Sequence, residues 1–269
     1  MPFIGSAKSE QAADAVAEAI RKALALPTDE RQAVANWEAA LRHLIGKAED
    51  AGILIMASSI VGSNTRRRFD IGEFRGFVLA DALAPLIFLN GADSKSAQMF
   101  TLGHELAHLW LGEAGVSDPQ AGWVPPQRSE RWCNRVAAEL LMPMDALRSA
   151  HQADTTIPDE IQRLARIFKV STLVALRRLF DADYIDQATL WQHYREEEAR
   201  LRKLKERTDD DSGGNPYRNI PARASKRFTR AIVSSTLEGM TSFSEANRLL
   251  GVRKAATFNK LAHELGVAA

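Results

Sequence analysis

The sequence predicts an α+β protein, mostly helical with a small twisted antiparallel-type sheet, plus a C-terminal helical domain. Three observations carry that reading. Apolar residues recur at helical spacing through most of the chain, but residues 53–89 break into short β-branched runs separated by Gly, Asp and Pro. Residues 208–221 (TDDDSGGNPYRNIP) combine an acidic run, a Gly pair and two prolines, the composition of a linker. Beyond Gly214 the charge changes sign. Residues 215–269 carry nine basic side chains against three acidic ones, a surplus of six in a chain whose net charge is only +1.

The elements follow in order. Ala12, Ala13, Val16, Ile20 and Leu24 mark a first helix. Asp29 and Glu30 open a second, with Val34, Trp37, Leu41, Leu44 and Ile45 on one face and Gly52 at its end. Ile53–Ile60, Phe77–Leu79 and Pro85–Leu89 read as strands. Ser94 or Ser96 caps a helix that Gly112 stops, and a long loop covers 113–128. Ser129 caps the next helix, which Pro143 ends; shorter helices cover 143–150, 158–168 and 171–180. The expected organisation is N-terminal helices over 1–52, a core over 53–182, a long charged helix over 183–207, the linker over 208–221, and a basic helical segment over 222–269.

Composition bounds the function. The chain has 269 residues, 45% hydrophobic and 26% charged, which is ordinary for a globular protein with a real core. One cysteine, Cys133, excludes an intrachain disulfide framework and a Cys-rich zinc fold, and it favours a reducing compartment. No apolar run approaches the ~20 residues of a membrane span. No charged start is followed by an apolar stretch, so the expectation is a cytoplasmic protein without a membrane partner.

The sharpest chemical signal is His104-Glu105-Leu106-Ala107-His108. Residues four apart on a helix are turned by ~400°, so both imidazoles project from one face. That spacing suits one Zn²⁺ at ~2.0–2.1 Å from each nitrogen. Glu105 points to the side, placed to take a proton from a water that the metal has acidified. Phe100, Leu102, Leu106, Leu109, Trp110 and Leu111 make the helix apolar on nearly every side, and buried imidazoles and carboxylates need partners. A catalytic zinc wants a third protein ligand and an open position. His43, His151, His193, Cys133, Glu130 and Glu139 are the candidates. Glu130 and Glu139 face opposite ways on their helix, so only one of them can look at His104.

From Phe74 to Leu179 the chain resembles the ImmA/IrrE family of zinc metallopeptidases. The residues that carry the resemblance are Phe74-Arg-Gly-Phe-Val, Pro85-Leu-Ile-Phe-Leu-Asn90, Phe100-Thr-Leu-Gly-His-Glu-Leu-Ala-His108 and Glu130-Arg-Trp-Cys-Asn-Arg-Val-Ala-Ala-Glu-Leu-Leu-Met-Pro143, with Arg177 and Leu179 trailing. The family's second motif is similar to E-x-x-A-N-x-F-A-x-x-L-L-x-P; here Cys133 and Val136 stand at its Ala and Phe positions. The resemblance implies a zincin-like core, Glu130 as third zinc ligand beside His104 and His108, and Glu105 as the catalytic residue. It further implies a regulatory endopeptidase acting on Xre-type helix-turn-helix repressors or on antitoxins, in stress response, transcription regulation or toxin–antitoxin pairs.

Zincin sites present an edge strand to an extended substrate. Pro85–Asn90, with Leu89 and Asn90 nearest the motif helix, is the candidate, the alternative being an ordinary core strand. An oxyanion donor is sought among Tyr184, His151, Arg177 and Arg178. The loop 113–128 reads as either a lid or a passive connection. At the C-terminus, Phe243–Arg253 followed by Thr257–Leu265 resembles a helix-turn-helix. Lys226, Arg227, Arg230, Arg253, Lys254 and Lys260 are its candidate phosphate contacts, and protein contact is the alternative. The rival to the peptidase is therefore a DNA-binding regulator, or a toxin component, in which the zincin core senses or scaffolds.

Overall fold

The computed structural model describes residues 1–27, 30, 33–61, 64, 66–117, 127–208, 224–252 and 254–267. The chain runs α1 (Ala13–Ala23), α2 (Trp37–Asp50), β1 (Leu54–Ser58), β2 (Gly76–Leu79), β3 (Leu86–Asn90), α3 (Lys95–Leu111), β4 (Gly115–Ser117), α4 (Arg128–Leu141), α5 (Met144–Ala150), α6 (Ile157–Phe168), α7 (Thr172–Asp181) and α8 (Gln187–Thr208). Three further helices follow: α9 (Lys226–Leu237), α10 (Phe243–Leu250) and α11 (Ala255–Glu264). The α+β class holds. Most of the predicted linker lies outside the described residues, as does the greater part of the 113–128 loop. No helix among the described residues is long and apolar enough to cross a membrane.

The strands form a sheet of order β1-β3-β2-β4. β2 pairs antiparallel with both β3 and β4, but β1 and β3 run parallel, with Leu54 opposite Leu86 and Ser58 opposite Asn90. The sheet is thus mixed, where an antiparallel-type sheet was expected. The cause is the long connection 59–75: it carries the chain past the neighbouring position, and the β2–β3 hairpin then folds β3 back into the gap. Period-2 alternation cannot report strand direction. β4 was read as loop because three residues beginning with glycine carry no alternation, and pairing with β2 alone defines it.

Ile55, Val78, Ile87 and Leu89 point from the sheet into the core, where α3 lies across it. The Ser94 hydroxyl accepts from the Ala97 N–H to start α3, and Gly112 ends it at φ 73°, a conformation side chains resist. Every residue of α3 from Gln98 to Trp110 is buried. α4 packs along α3, and α1 packs along α4. α4 begins at Arg128, with Gln127 before it making no side-chain cap, so Ser129 is a first-turn residue and not the cap. α2 begins at Trp37 behind Asn36, whose side chain accepts from the Ala39 N–H, later than the start expected at Asp29.

Polar groups tie these layers at few points. The fully buried Trp132 indole N–H donates to the Gln11 carbonyl (2.7 Å). Arg178 pairs with Glu139 and donates to the Met142 carbonyl (3.0 Å). Glu160, buried at the start of α6, accepts from Arg163, His151 and the Gln152 N–H. A second apolar cluster, formed by Val233, Ala246, Leu250, Val252, Phe258, Leu261, Ala262 and Leu265, belongs to α9–α11 alone.

Two outcomes are expected in denaturant unfolding. Trp132→Ala should lower stability by about 3–5 kcal/mol, with Trp132→Phe retaining most of the packing and losing the bond to Gln11. Burial by itself would raise the Glu160 carboxyl, but Arg163, the Gln152 N–H and His151 outweigh it and hold it below its ordinary value. The stabilisation of a depressed carboxyl is present above its unfolded pKa, 4.5, and is lost as pH falls through the folded value. Glu160→Gln should therefore be less stable than the native chain at neutral pH, and the gap should narrow on acidification below 4.5.

Candidate metal centre

His104 and His108 sit one turn apart on α3, and Glu130 reaches them from the first turn of α4. The His104 and His108 Nε2 atoms are 3.1 Å apart. Glu130 places Oε2 3.1 Å from His104 Nε2 and Oε1 3.2 Å from His108 Nε2. Four atoms bound to one ion at ~2.0–2.1 Å in tetrahedral geometry would lie ~3.3 Å apart, so this spacing fits a single small cation.

The neighbours fix which lone pairs face inward. His104 Nδ1–H donates to Asn134 Oδ1 (2.9 Å), leaving Nε2 to present a lone pair to the cluster. His108 Nδ1 lies 3.4 Å from the Glu113 carboxylate, which favours the proton on that nitrogen too. Two imidazole lone pairs and a carboxylate at such separations repel unless a positive charge stands between them. Among the described residues, His104, His108 and Glu130 are the group whose atoms could hold a metal.

Burial lowers the His104 pKa, against the opposing pull of the Glu130 hydrogen bond. Burial also opposes charge on His108, but Glu130, Glu105 and Glu113 together outweigh it and raise the value. The His104 and His108 rings, each within 3.2 Å of one of its oxygens, hold the Glu130 carboxyl far below the carboxylate range. Burial keeps the Cys133 thiol protonated, with the nearby carboxylates adding to the effect.

Glu105 is fully buried beside the pair. Its Oε1 approaches Gly76 of β2 so closely that a Cβ there would stand 3.1 Å from it, 2.6 Å from Thr101 Cγ2 and 3.0 Å from the Phe88 carbonyl. Gly76 is thus a clearance residue. Sequence reasoning gave it no role; the absent side chain is visible only when the strand is laid against the helix. Asn134 and Glu113 were also missed. Asn134 was findable, because it lies four residues beyond Glu130 and shares its helix face.

The other candidates are occupied elsewhere. Glu139 faces Arg178 and takes the Met144 N–H (3.1 Å). His43 faces Glu30, and His193 faces Glu196. His151 bonds Glu160 and stacks on Tyr184 (3.9 Å). Arg177 holds Asp181 (2.9 Å), and Arg178 is buried against Glu139. Leu89 and Asn90 require a correction. They lie on β3, an interior strand paired on both sides, and both are fully buried. The Asn90 amide donates to the Asp70 and Phe74 carbonyls, while its oxygen accepts from the Ala92 N–H. Neither can pair with a substrate backbone.

A His-His-Glu cluster on two packed helices, with a carboxylate between the histidines, is the arrangement of a metallopeptidase. Residues 48–180 match the Peptidase_M78 family, described as the IrrE N-terminal-like domain, so this stretch is a domain of that family. Residues 224–264 match a domain of unknown function, DUF8813. No curated protein and no solved structure matches the chain.

Asn134→Ala should weaken metal retention by roughly 10- to 100-fold through loss of the His104 orientation. Competition with a chelating dye reads the change, and circular dichroism should show the helices intact.

Proposed function

We propose that the chain is a zinc-dependent endopeptidase of the cytoplasm that cleaves a regulatory protein, of which an Xre-type helix-turn-helix repressor or an antitoxin is the expected kind. One observation carries this reading: His104, His108 and Glu130 converge within hydrogen-bond distance of one another while Glu105 is held, fully buried, on the turn between the histidines. Two imidazoles and a carboxylate are the His₂Glu donor set of zinc peptidases.

Zinc, when bound, supplies Lewis acidity toward water and toward a peptide carbonyl. The chain's own residues do the rest. His104 and His108 keep Nε2 lone pairs inward because Asn134 and Glu113 take the opposite nitrogens. Glu105, fully buried beside the pair, takes the proton of the attacking water and passes it to the leaving amine. Asn134 keeps His104 from rotating. Substrate presentation moves from β3 to β4: β4 is an end strand of the sheet, next to β2, whose Gly76 touches Glu105. An extended peptide added along β4 would run antiparallel or parallel to it through backbone hydrogen bonds.

A second reading, a DNA-binding regulator whose metal core senses or scaffolds, is favoured by the separate apolar core of α9–α11 and by their basic surplus.

Glu105→Gln separates the two. It should keep the fold and the metal content while cleavage of a co-expressed repressor or antitoxin falls by about 10²–10⁴-fold. Persistence of the regulatory effect in that variant would sink the peptidase reading.

A further inference from the structure

The α9–α11 unit carries chemistry that peptide cleavage does not use. Its helices share their own core, so their mutual orientation does not depend on the rest of the chain. α10 ends at Gly251 in the left-handed region (φ 64°), and the Val252 N–H returns to the Asn247 carbonyl (2.9 Å). Val252 is buried between the helices, and four residues separate the end of α10 at Leu250 from the start of α11 at Ala255. A three- to four-residue turn with glycine is the hallmark of the helix-turn-helix.

α11 is sharply two-faced. Phe258, Leu261 and Ala262 point into the core. Ala255, Ala256, Asn259, Lys260 and His263 are exposed. The exposed first turn is methyl-sized, which lets a helix sink toward the floor of a groove. Behind it stand an amide and an ammonium, the groups that pair with adenine and guanine edges. No carboxylate interrupts this face before Glu264, at the far end of the helix. Lys254, exposed at the entry to α11, and Arg248, exposed on α10, flank it.

The cations of α9 stand beside an acidic helix end. Lys226, Arg227 and Arg230 line one crevice with Glu49 and Asp50 of α2. Ser225 donates to Glu49, whose carboxylate also accepts from the Arg227 N–H (3.5 Å), and Arg230 donates to the Leu265 carbonyl (3.0 Å). The contacts to the body are thus made by Ser225 and the Arg227 N–H, while the side chains of Lys226, Arg227 and Arg230 stay exposed.

We propose that α11 is a recognition helix that enters the major groove of duplex DNA, with Asn259 and Lys260 reading base edges and Lys254 and Arg248 on phosphates. This rests on the premise of the second reading, that the basic unit meets DNA, and is independent of peptide cleavage. Bases are read by the N-terminal part of such a helix; Asn259 is the fifth of the ten residues of α11 and Lys260, one residue on, stands at its middle.

The test uses the full-length chain and a labelled pool of random duplex DNA at about 50 mM salt, with sequences enriched by repeated selection. The expected result is salt-sensitive binding and a selected sequence preference. Asn259→Ala and Lys260→Ala should lower affinity for the selected sequence by roughly 5- to 150-fold, and Asn259→Ala should hardly change binding to random duplex. Lys254→Ala should weaken both equally and reduce the salt slope by about one. Ala256→Asp, which places a carboxylate in the groove-facing turn, should abolish binding, while Glu238→Gln should bind like the native chain. Glu105→Gln should also bind DNA normally, so failure of the peptidase reading and failure of this one are distinguishable. No duplex binding by the folded chain overturns the proposal. So does binding that ignores Asn259 and Lys260, or a protein captured on this face in place of DNA.

Discussion

The structure depends on one constraint: α3 is buried along thirteen consecutive residues, Gln98 to Trp110, and three of them are His104, Glu105 and His108. A helix with no solvent face cannot leave imidazoles and a carboxylate to water. Everything around it answers that requirement. α4 supplies Glu130 and Asn134, the turn after α3 supplies Glu113, and β2 supplies a glycine where a Cβ would clash with Thr101 and crowd Glu105. The chemistry and the packing are therefore one problem. A cluster of like-facing lone pairs is tolerable in a core only if a cation joins them, and the same cation is what a hydrolytic centre needs.

Support for the cluster is distributed through polar contacts that do not touch it. Trp132 lies two residues beyond Glu130 on α4, and its indole anchors that helix to the Gln11 carbonyl. Arg178 and Glu139 fasten the far end of α4 to α7 and to the Met142 carbonyl. α4 is thus pinned near both ends, which holds Glu130 at a fixed distance from two histidines on another helix. Positional precision of this kind comes from packing neighbours and their hydrogen bonds more than from the ligands themselves.

Much of this was legible in the residues. The His104–His108 spacing, the apolar surroundings of that helix, the Ser94 and Gly112 boundaries and the opposite facing of Glu130 and Glu139 are local facts of helical geometry, and they survive in the folded chain. What escaped was what depends on partners distant in sequence. The parallel pairing of β1 with β3 turned Leu89 and Asn90 from an imagined edge into an interior strand. The role of Gly76 is the absence of a side chain, and composition cannot display an absence. Sequence likewise shows the charge of Lys226, Arg227 and Arg230 but not the acidic helix end with which they share a crevice.

The end of α3 is completed from far away. The Gly5 N–H donates to the Leu109 carbonyl (3.1 Å), the Ala7 N–H donates to the Trp110 carbonyl (2.8 Å), and Phe3 stacks on Trp110 (4.5 Å). A Cβ on Gly112 would meet the Gly5 backbone at 3.0 Å, so the two glycines permit the approach. These clasping residues precede the stretch 48–180 by which the family is recognised. The packed unit is therefore larger than the homologous one: a fragment cut at the family's borders would carry His104, His108 and Glu130 yet leave the last turn of its central helix unfastened.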